Sequence, residues 1–221
     1  MTQQTRIKIC GLTRAEDVQT AVAEGADALG FVFYPQSPRY VTPETVARLI
    51  AEVPPSVITV GLFVNATPNE VLDTLAQAPV SVLQFHGDET PDQCALIAAA
   101  AKRPFLRAFR VKPETTSGDL LQCETEYRAA SGYFAGLLLD THVDSYGGSG
   151  KVFDWSLIPE ELAPRVVLSG GLNAQNVTGA IAQVRPFAVD ISSGVERTKG
   201  IKDAGKIHAF ISAVRQADAT R

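Results

Sequence analysis

Short apolar runs alternate with longer amphipathic stretches along the whole of this 221-residue chain. The first run is Arg6-Ile-Lys-Ile-Cys10, in which Ile7 and Ile9 alternate with polar residues before Gly11 stops it. Further strand-like runs are read at residues 27–33, 56–64, 80–85, 104–111, 133–140, 165–169 and 187–191. Helices are read between them, over 14–24, from 42 to about 53, from 67, over 90–101 and 120–130, as a short piece at 155–162, and over 173–184 and 202–217. Three helix starts repeat one chemistry: Thr42-Pro43-Glu44, Thr67-Pro68-Asn69-Glu70 and Thr90-Pro91-Asp92 each place a capping Thr before a first-turn Pro. Thr13 with Glu16 predicts a capping box for the first helix, and Asn173 predicts the cap of a later one. Residues 113–118 read as a loop, and the stretch after Gly194 as irregular.

Eight strands, each followed by a helix, predict an α/β fold of the (β/α)8 TIM barrel type, in one domain spanning residues 1–221. Runs such as Leu137-Leu138-Leu139 suit strands covered on both faces. An open doubly wound sheet is the structural alternative. It normally uses fewer strands, and it leaves the polar residues after nearly every strand unexplained.

Composition narrows the function classes. Hydrophobic residues make up 45% and charged residues 20%, enough apolar surface for a full core. The net charge is -4 and no Lys/Arg block exists, so nucleic acid is not an expected partner. No apolar run reaches the ~18 residues that a membrane span needs, and the first residues lack the apolar heart of a signal peptide. Cys10, Cys94 and Cys123 are an odd set without metal-ligand spacing, which predicts free thiols and a reducing cytoplasm. The three His are far apart, and no metal site is expected. Nothing in the chain signals an oligomeric state.

In a barrel the carboxyl ends of the strands share one face. Those positions carry Cys10, the Ser37-Pro38-Arg39 loop, Asn65, His86-Gly87, Arg110, Asp140, Gly170-Gly171 and Ser192-Ser193-Gly194. Each has a functional and a structural reading. Cys10 is a reactive thiol, with a pKa lowered by the helix that follows, or a small buried hydrophobe. Cys94 and Cys123 lie within helices and read as packing residues. Asp140 is a general acid or a carboxylate that caps its own turn. Asp190, one residue before a strand terminus, reads as pointing outward to the helices with a structural role. The two Gly/Ser turns after the seventh and eighth strands suit a phosphate, because amides can approach an anion where side chains are small. Arg39 can grip a carboxylate or lie solvated, and His86 can meet a ligand or serve the fold. Tyr146-Gly-Gly-Ser-Gly150 reads as a mobile lid or a flexible connection.

Taken together and in order, these segments resemble the phosphoribosylanthranilate isomerase family of tryptophan biosynthesis. The resemblance is carried by Lys8-Ile-Cys-Gly-Leu-Thr13, Gly25-Ala-Asp27, Gly30-Phe31, Ser37-Pro-Arg39 and Val60-Gly-Leu-Phe-Val-Asn65. It continues through Leu83-Gln-Phe-His-Gly-Asp-Glu89, Leu139-Asp140, Gly147-Gly-Ser-Gly150 and Phe153-Asp-Trp155. Ser169-Gly-Gly-Leu172, Asn176-Val177, Asp190-Ile-Ser-Ser-Gly-Val-Glu196 and Gly200-Ile-Lys-Asp203 complete it.

The resemblance implies an Amadori rearrangement of N-(5'-phosphoribosyl)anthranilate to 1-(2-carboxyphenylamino)-1-deoxyribulose 5-phosphate, with no metal or organic cofactor. It places the catalytic base at Cys10 and the general acid at Asp140. Arg39 would meet the anthranilate carboxylate, with His86 beside the substrate. Gly170-Gly171 and Ser192-Ser193-Gly194 would hold the phosphate of this small-molecule partner. Two other readings stand beside it. A histidine-pathway aminoaldose isomerase performs related chemistry but expects aspartates as both acid and base. A non-catalytic phosphate-ligand binder would need neither Cys10 nor Asp140.

Overall fold

The structure is a computed structural model that describes residues 4–141 and 152–220. Eight parallel strands form a closed barrel in sequence order: β1 (Arg6–Cys10), β2 (Ala28–Val32), β3 (Ile58–Phe63), β4 (Val82–Phe85), β5 (Phe105–Val111), β6 (Phe134–Thr141), β7 (Val167–Leu168) and β8 (Ala188–Ile191). The seam closes by pairing β1 with β8, with Lys8 opposite Asp190. Among the described residues seven α-helices surround it: α1 (Ala15–Ala23), α2 (Pro43–Ile50), α3 (Pro68–Gln77), α4 (Pro91–Ala101), α5 (Ser117–Ala130), α6 (Val177–Val184) and α7 (Ala204–Ala219). Between β6 and β7 the described residues contain two short 3-10 turns, Trp155–Leu157 and Ala163–Arg165, and no α-helix. The short helical piece expected at 155–162 is met there by a single 3-10 turn at Trp155–Leu157.

Strand alternation separates two apolar layers. Ile9, Leu29, Leu83, Leu139, Leu168 and Val189 point outward and pack with helix residues such as Val18, Val46, Val71, Ile181 and Phe210. Ala108, Leu138, Val167 and Ala188 form a separate cluster from four adjacent strands. Their register pairs Leu138 with Val167 and Val167 with Ala188, so they share the inner face. Two residues further along each of these strands stand Arg110, Asp140, Ser169 and Asp190. The barrel interior thus changes from apolar to polar towards the carboxyl ends. This corrects the outward reading of Asp190. Ile191 is the residue that joins the outer layer, and Asp190 points into the barrel.

The Thr-Pro starts behave as expected. Thr42 Oγ1 accepts from the Thr45 amide, and Thr67 with Glu70 and Thr90 with Gln93 complete capping boxes. A third box, Thr116 with Asp119, starts α5 at Ser117, inside the stretch expected to be loop. Thr13 does not cap α1. Arg14 precedes that helix without a side-chain cap, and Thr13 Oγ1 donates instead to the Gly200 carbonyl at 2.6 Å. That carbonyl belongs to a hairpin of β9 (Glu196–Thr198) and β10 (Ile201–Lys202), which occupies the stretch expected to be irregular. A tertiary acceptor has taken the hydroxyl in place of the local amide donor. Asn173 likewise does not cap α6, which begins at Val177. Its Oδ1 accepts from the Gln175 and Asn176 amides and shapes the turn before the helix.

Thr116→Ala should remove the α5 cap and cost about 1 kcal/mol, lowering Tm by about 2–4 °C with activity retained. Calorimetry beside a steady-state assay checks this; an unchanged Tm would show that the box does not hold the helix start.

Candidate active site

Cys10 ends β1 facing the barrel mouth and is 5% exposed. The turn after it is pinned to the neighbouring strand, since the Gly11 and Leu12 amides both donate to the Gly30 carbonyl, at 2.9 and 3.1 Å. Gly11 has φ +73°, and a Cβ there would lie 2.5 Å from Arg39 Cδ, so only glycine lets the Arg39 stem cross this turn. Burial pushes the Cys10 thiol up. The Lys8 ammonium draws it down, Asp190 opposes Lys8, and Lys202 draws it down further; the net shift is upward. The expected lowering by the following helix is absent, because α1 begins five residues on and desolvation dominates.

Asp140 stands on β6, with Oδ2 3.3 Å from His86 Nε2. His86 Nδ1 is 3.0 Å from Gln84 Nε2. When the Gln84 amide donates there, the imidazole carries its proton on Nε2 and offers it to Asp140. Gln84 Oε1 is buried and has no hydrogen-bond partner among the described residues. The loop that carries His86 is braced from outside. Glu89 accepts from the Asn65 amide at 2.7 Å and the Gly87 amide at 2.9 Å, and Arg107 donates to the Phe85 and Gly87 carbonyls. Arg110, beside Asp140 in register, pairs with Asp88.

Arg39 is 9% exposed and forms a bidentate pair with Glu196, Nε to Oε1 at 2.7 Å and Nη2 to Oε2 at 2.8 Å. Lys202 Nζ donates to the same Glu196 at 3.1 Å and to the Ser192 carbonyl at 3.0 Å. The loops after β7 and β8 meet directly. Gly170 and Gly171 have φ of +80° and +68°, and Asn176 Nδ2 holds the Gly171 carbonyl at 3.0 Å. A Cβ on Gly194 would lie 2.2 Å from the Leu172 carbonyl oxygen. Ser193–Val195 then forms a single 3-10 turn. A thiol, a carboxyl group beside an imidazole, a guanidinium and a small-residue pocket of amides thus surround one barrel mouth.

A sequence profile of the family described as N-(5'phosphoribosyl)anthranilate (PRA) isomerase matches residues 7–213. The N-(5'-phosphoribosyl)anthranilate isomerase of Herminiimonas arsenicoxydans is 68% identical over 219 residues, which cover 99% of this chain and 96% of that one. The chain belongs to the N-(5'-phosphoribosyl)anthranilate isomerase family. The crystal structure of the Thermotoga maritima phosphoribosyl anthranilate isomerase superposes with a TM-score of 0.85 at 44% identity, over 96% of this chain and 100% of that one. A phosphoribosyl anthranilate isomerase in complex with reduced 1-(o-carboxyphenylamino)-1-deoxyribulose 5-phosphate gives 0.81 at 42% identity, over 96% of this chain and 100% of that one.

Within this isomerase-family frame, the barrel brings Cys10, Arg39, His86, Asp140 and both Gly/Ser turns to one face. His86 is engaged with Gln84 and Asp140, and Arg39 with Glu196, so neither is an unengaged ligand contact. Residues 142–151, with the Tyr146–Gly150 lid reading, lie outside the described residues. Among the described residues, no group of three or more His, Cys, Asp or Glu is placed to hold a metal ion. Sequence reading did not single out Lys8, Gln84, Glu196 and Lys202. Lys8 and Gln84 could have been found by alternation, each standing two residues before a chosen residue on the same strand face.

Burial raises the Glu196 carboxyl, but Arg39 and Lys202 hold it below its ordinary value of 4.5. A carboxyl depressed on folding adds stability above its unfolded pKa, and that stability is lost as pH falls through the folded one. Glu196→Gln should therefore lower Tm at pH 7, with a gap to the parent protein that narrows as pH drops below ~4.5. Thermal melts across that range check the linkage, which an equal gap at every pH would exclude.

Proposed function

We propose that this chain catalyses the isomerisation of N-(5'-phosphoribosyl)anthranilate to 1-(2-carboxyphenylamino)-1-deoxyribulose 5-phosphate, a step of tryptophan biosynthesis, by general acid and base catalysis. The observation that carries the reading is the placement of Cys10 on β1 and Asp140 on β6 at one barrel mouth, beside the paired Gly/Ser loops. A proton must be given at one end of the sugar and taken at the next carbon, so the reaction needs an acid and a base on separate supports.

Asp140 protonates the ribose ring oxygen. The ring C–O bond breaks and C1' becomes an iminium carbon bound to the anthranilate nitrogen. That cation makes the C2' proton acidic. Cys10 as thiolate removes it, and the electron pair moves into the C1'–C2' bond and neutralises the nitrogen. The enolamine tautomerises to the C2' ketone. C2' is oxidised and C1' reduced by the same pair, so no external redox agent enters. His86 Nε2, 3.3 Å from Asp140, can hold the carboxylate after the proton has left. Arg39 faces the carboxylate end of the substrate. Glu196 takes its Nε and Nη2, and Nη1 makes no hydrogen bond among the described residues. The phosphate takes the amides of Gly170-Gly171 and Ser192-Ser193-Gly194, reinforced by the Lys202 ammonium at Ser192. The relative that holds a reduced form of this product supports the assignment. The partner is a small phosphorylated metabolite, and three free thiols fit cytoplasmic residence.

Cys10→Ala and Asp140→Asn should each lower kcat by about 10²–10⁴-fold with the fold intact. Decay of the substrate's anthranilate fluorescence gives the rate and circular dichroism the fold. A variant as fast as the parent loses its assigned role. Arg39→Ala should act mainly on KM, and an unchanged KM removes Arg39 from carboxylate binding.

A further inference from the structure

Beneath Cys10 the barrel holds a charge pair that the reaction steps above do not use. Lys8 is 3% exposed and lies two residues before Cys10, so both side chains share the inner face of β1. Its Nζ is 2.7 Å from Asp190 Oδ1, and Asp190 Oδ2 accepts from Ser169 Oγ at 3.0 Å. The pair sits directly above the apolar layer of Ala108, Leu138, Val167 and Ala188. A buried ion pair gains little over an apolar filling of the same volume, so stability gives no reason for charge at this depth. Its neighbour supplies one. An ammonium has three N–H donors, and Asp190 occupies one of those of Lys8. The thiol on the same strand face is within reach of another.

We infer that Lys8, held charged and oriented by Asp190, is a positioning residue that stabilises the thiolate form of Cys10. The inference rests on Cys10 serving as the base. The charged groups facing the thiol are Lys8 on β1, Asp190 on β8 and Lys202 on β10, and β2 brings only Gly30. Lys202 is tied to Glu196, which also binds Arg39, so part of its charge is spent there. Lys8 is the nearer control. Burial alone would weaken its hold on its proton, but Asp190 and Cys10 hold it well above the ordinary lysine value. The ammonium lowers the cost of thiolate where desolvation would otherwise forbid it, and Asp190 keeps that ammonium from neutralising.

The test compares the full-length chain with Lys8→Met and with Lys8→Met/Asp190→Asn. The pH dependence of iodoacetamide alkylation is followed on the Cys10 peptide by mass spectrometry, so Cys94 and Cys123 do not contribute. The kcat/KM pH profile is measured beside it. In Lys8→Met the alkylation midpoint and the acid limb of kcat/KM should both rise by about 1–3 pH units. In the double variant both should lie between Lys8→Met and the parent, because Asp190 itself opposes the thiolate. The double variant also leaves no lone buried carboxylate, so the experiment survives if Lys8→Met fails to fold. Midpoints equal to the parent's in the variants would overturn the inference, as would a loss of rate equal at every pH. A shifted alkylation midpoint with an unmoved kcat/KM limb would uphold the coupling of Lys8 to the thiol and defeat the reading of Cys10 as base.

Discussion

Everything at the site depends on closing the sheet between β1 and β8. That seam pairs Lys8 with Asp190 and Ile9 with Ile191, and it brings the first strand's thiol against the last strand's loop. Parallel strands alternate their side chains in phase across the sheet, so one register decides which residues of all eight strands face inward. A slip of one residue would send Lys8, Cys10, Asp140 and Asp190 into the helix layer and put Ile9 and Leu139 in the mouth. The outer layer prevents it, because those apolar residues are buried only in the observed register.

Charge inside the barrel is organised in connected pairs. Lys8 with Asp190, Lys202 with Glu196 and Arg39, and His86 with Asp140 each satisfy groups that would be costly if buried alone. The first pair bears on the thiol from below. The second holds the guanidinium stem across Gly11 and fastens the β9–β10 hairpin over the barrel mouth, where Thr13 also holds Gly200. Chemistry and closure share residues here, because the loops that would receive the phosphate are fixed by the same contacts that orient Arg39.

Local rules worked where the chain satisfies itself. Thr42, Thr67 and Thr90 cap the helices that follow them, since each partner amide lies three residues on. They failed where another partner lay within reach, a distant one for Thr13 and a local one for Asn173. Thr13 took a carbonyl from Gly200, and Asn173 took amides of its own turn. Thr116 was overlooked because Pro113 and Gly118 in the surrounding stretch signal a loop, yet Asp119 completes its box. Asp190 was misplaced because a strand end visible in sequence does not reveal the phase of alternation.

The order of apolar runs determined eight strands and the helices around them except between β6 and β7, and the ordered motifs determined the family, because both are properties of neighbours along the chain. Which residues share the mouth also followed once the strands were counted, since their carboxyl ends converge. Only tertiary structure decided that Arg39 lies bound to Glu196, that His86 stands beside Asp140, and that Lys8 beneath Cys10 is paired with Asp190. Those pairings join residues as far apart as 182 positions. The ionisation of the thiol belongs with them, for it is set by burial and by charges that the fold carries in from other strands.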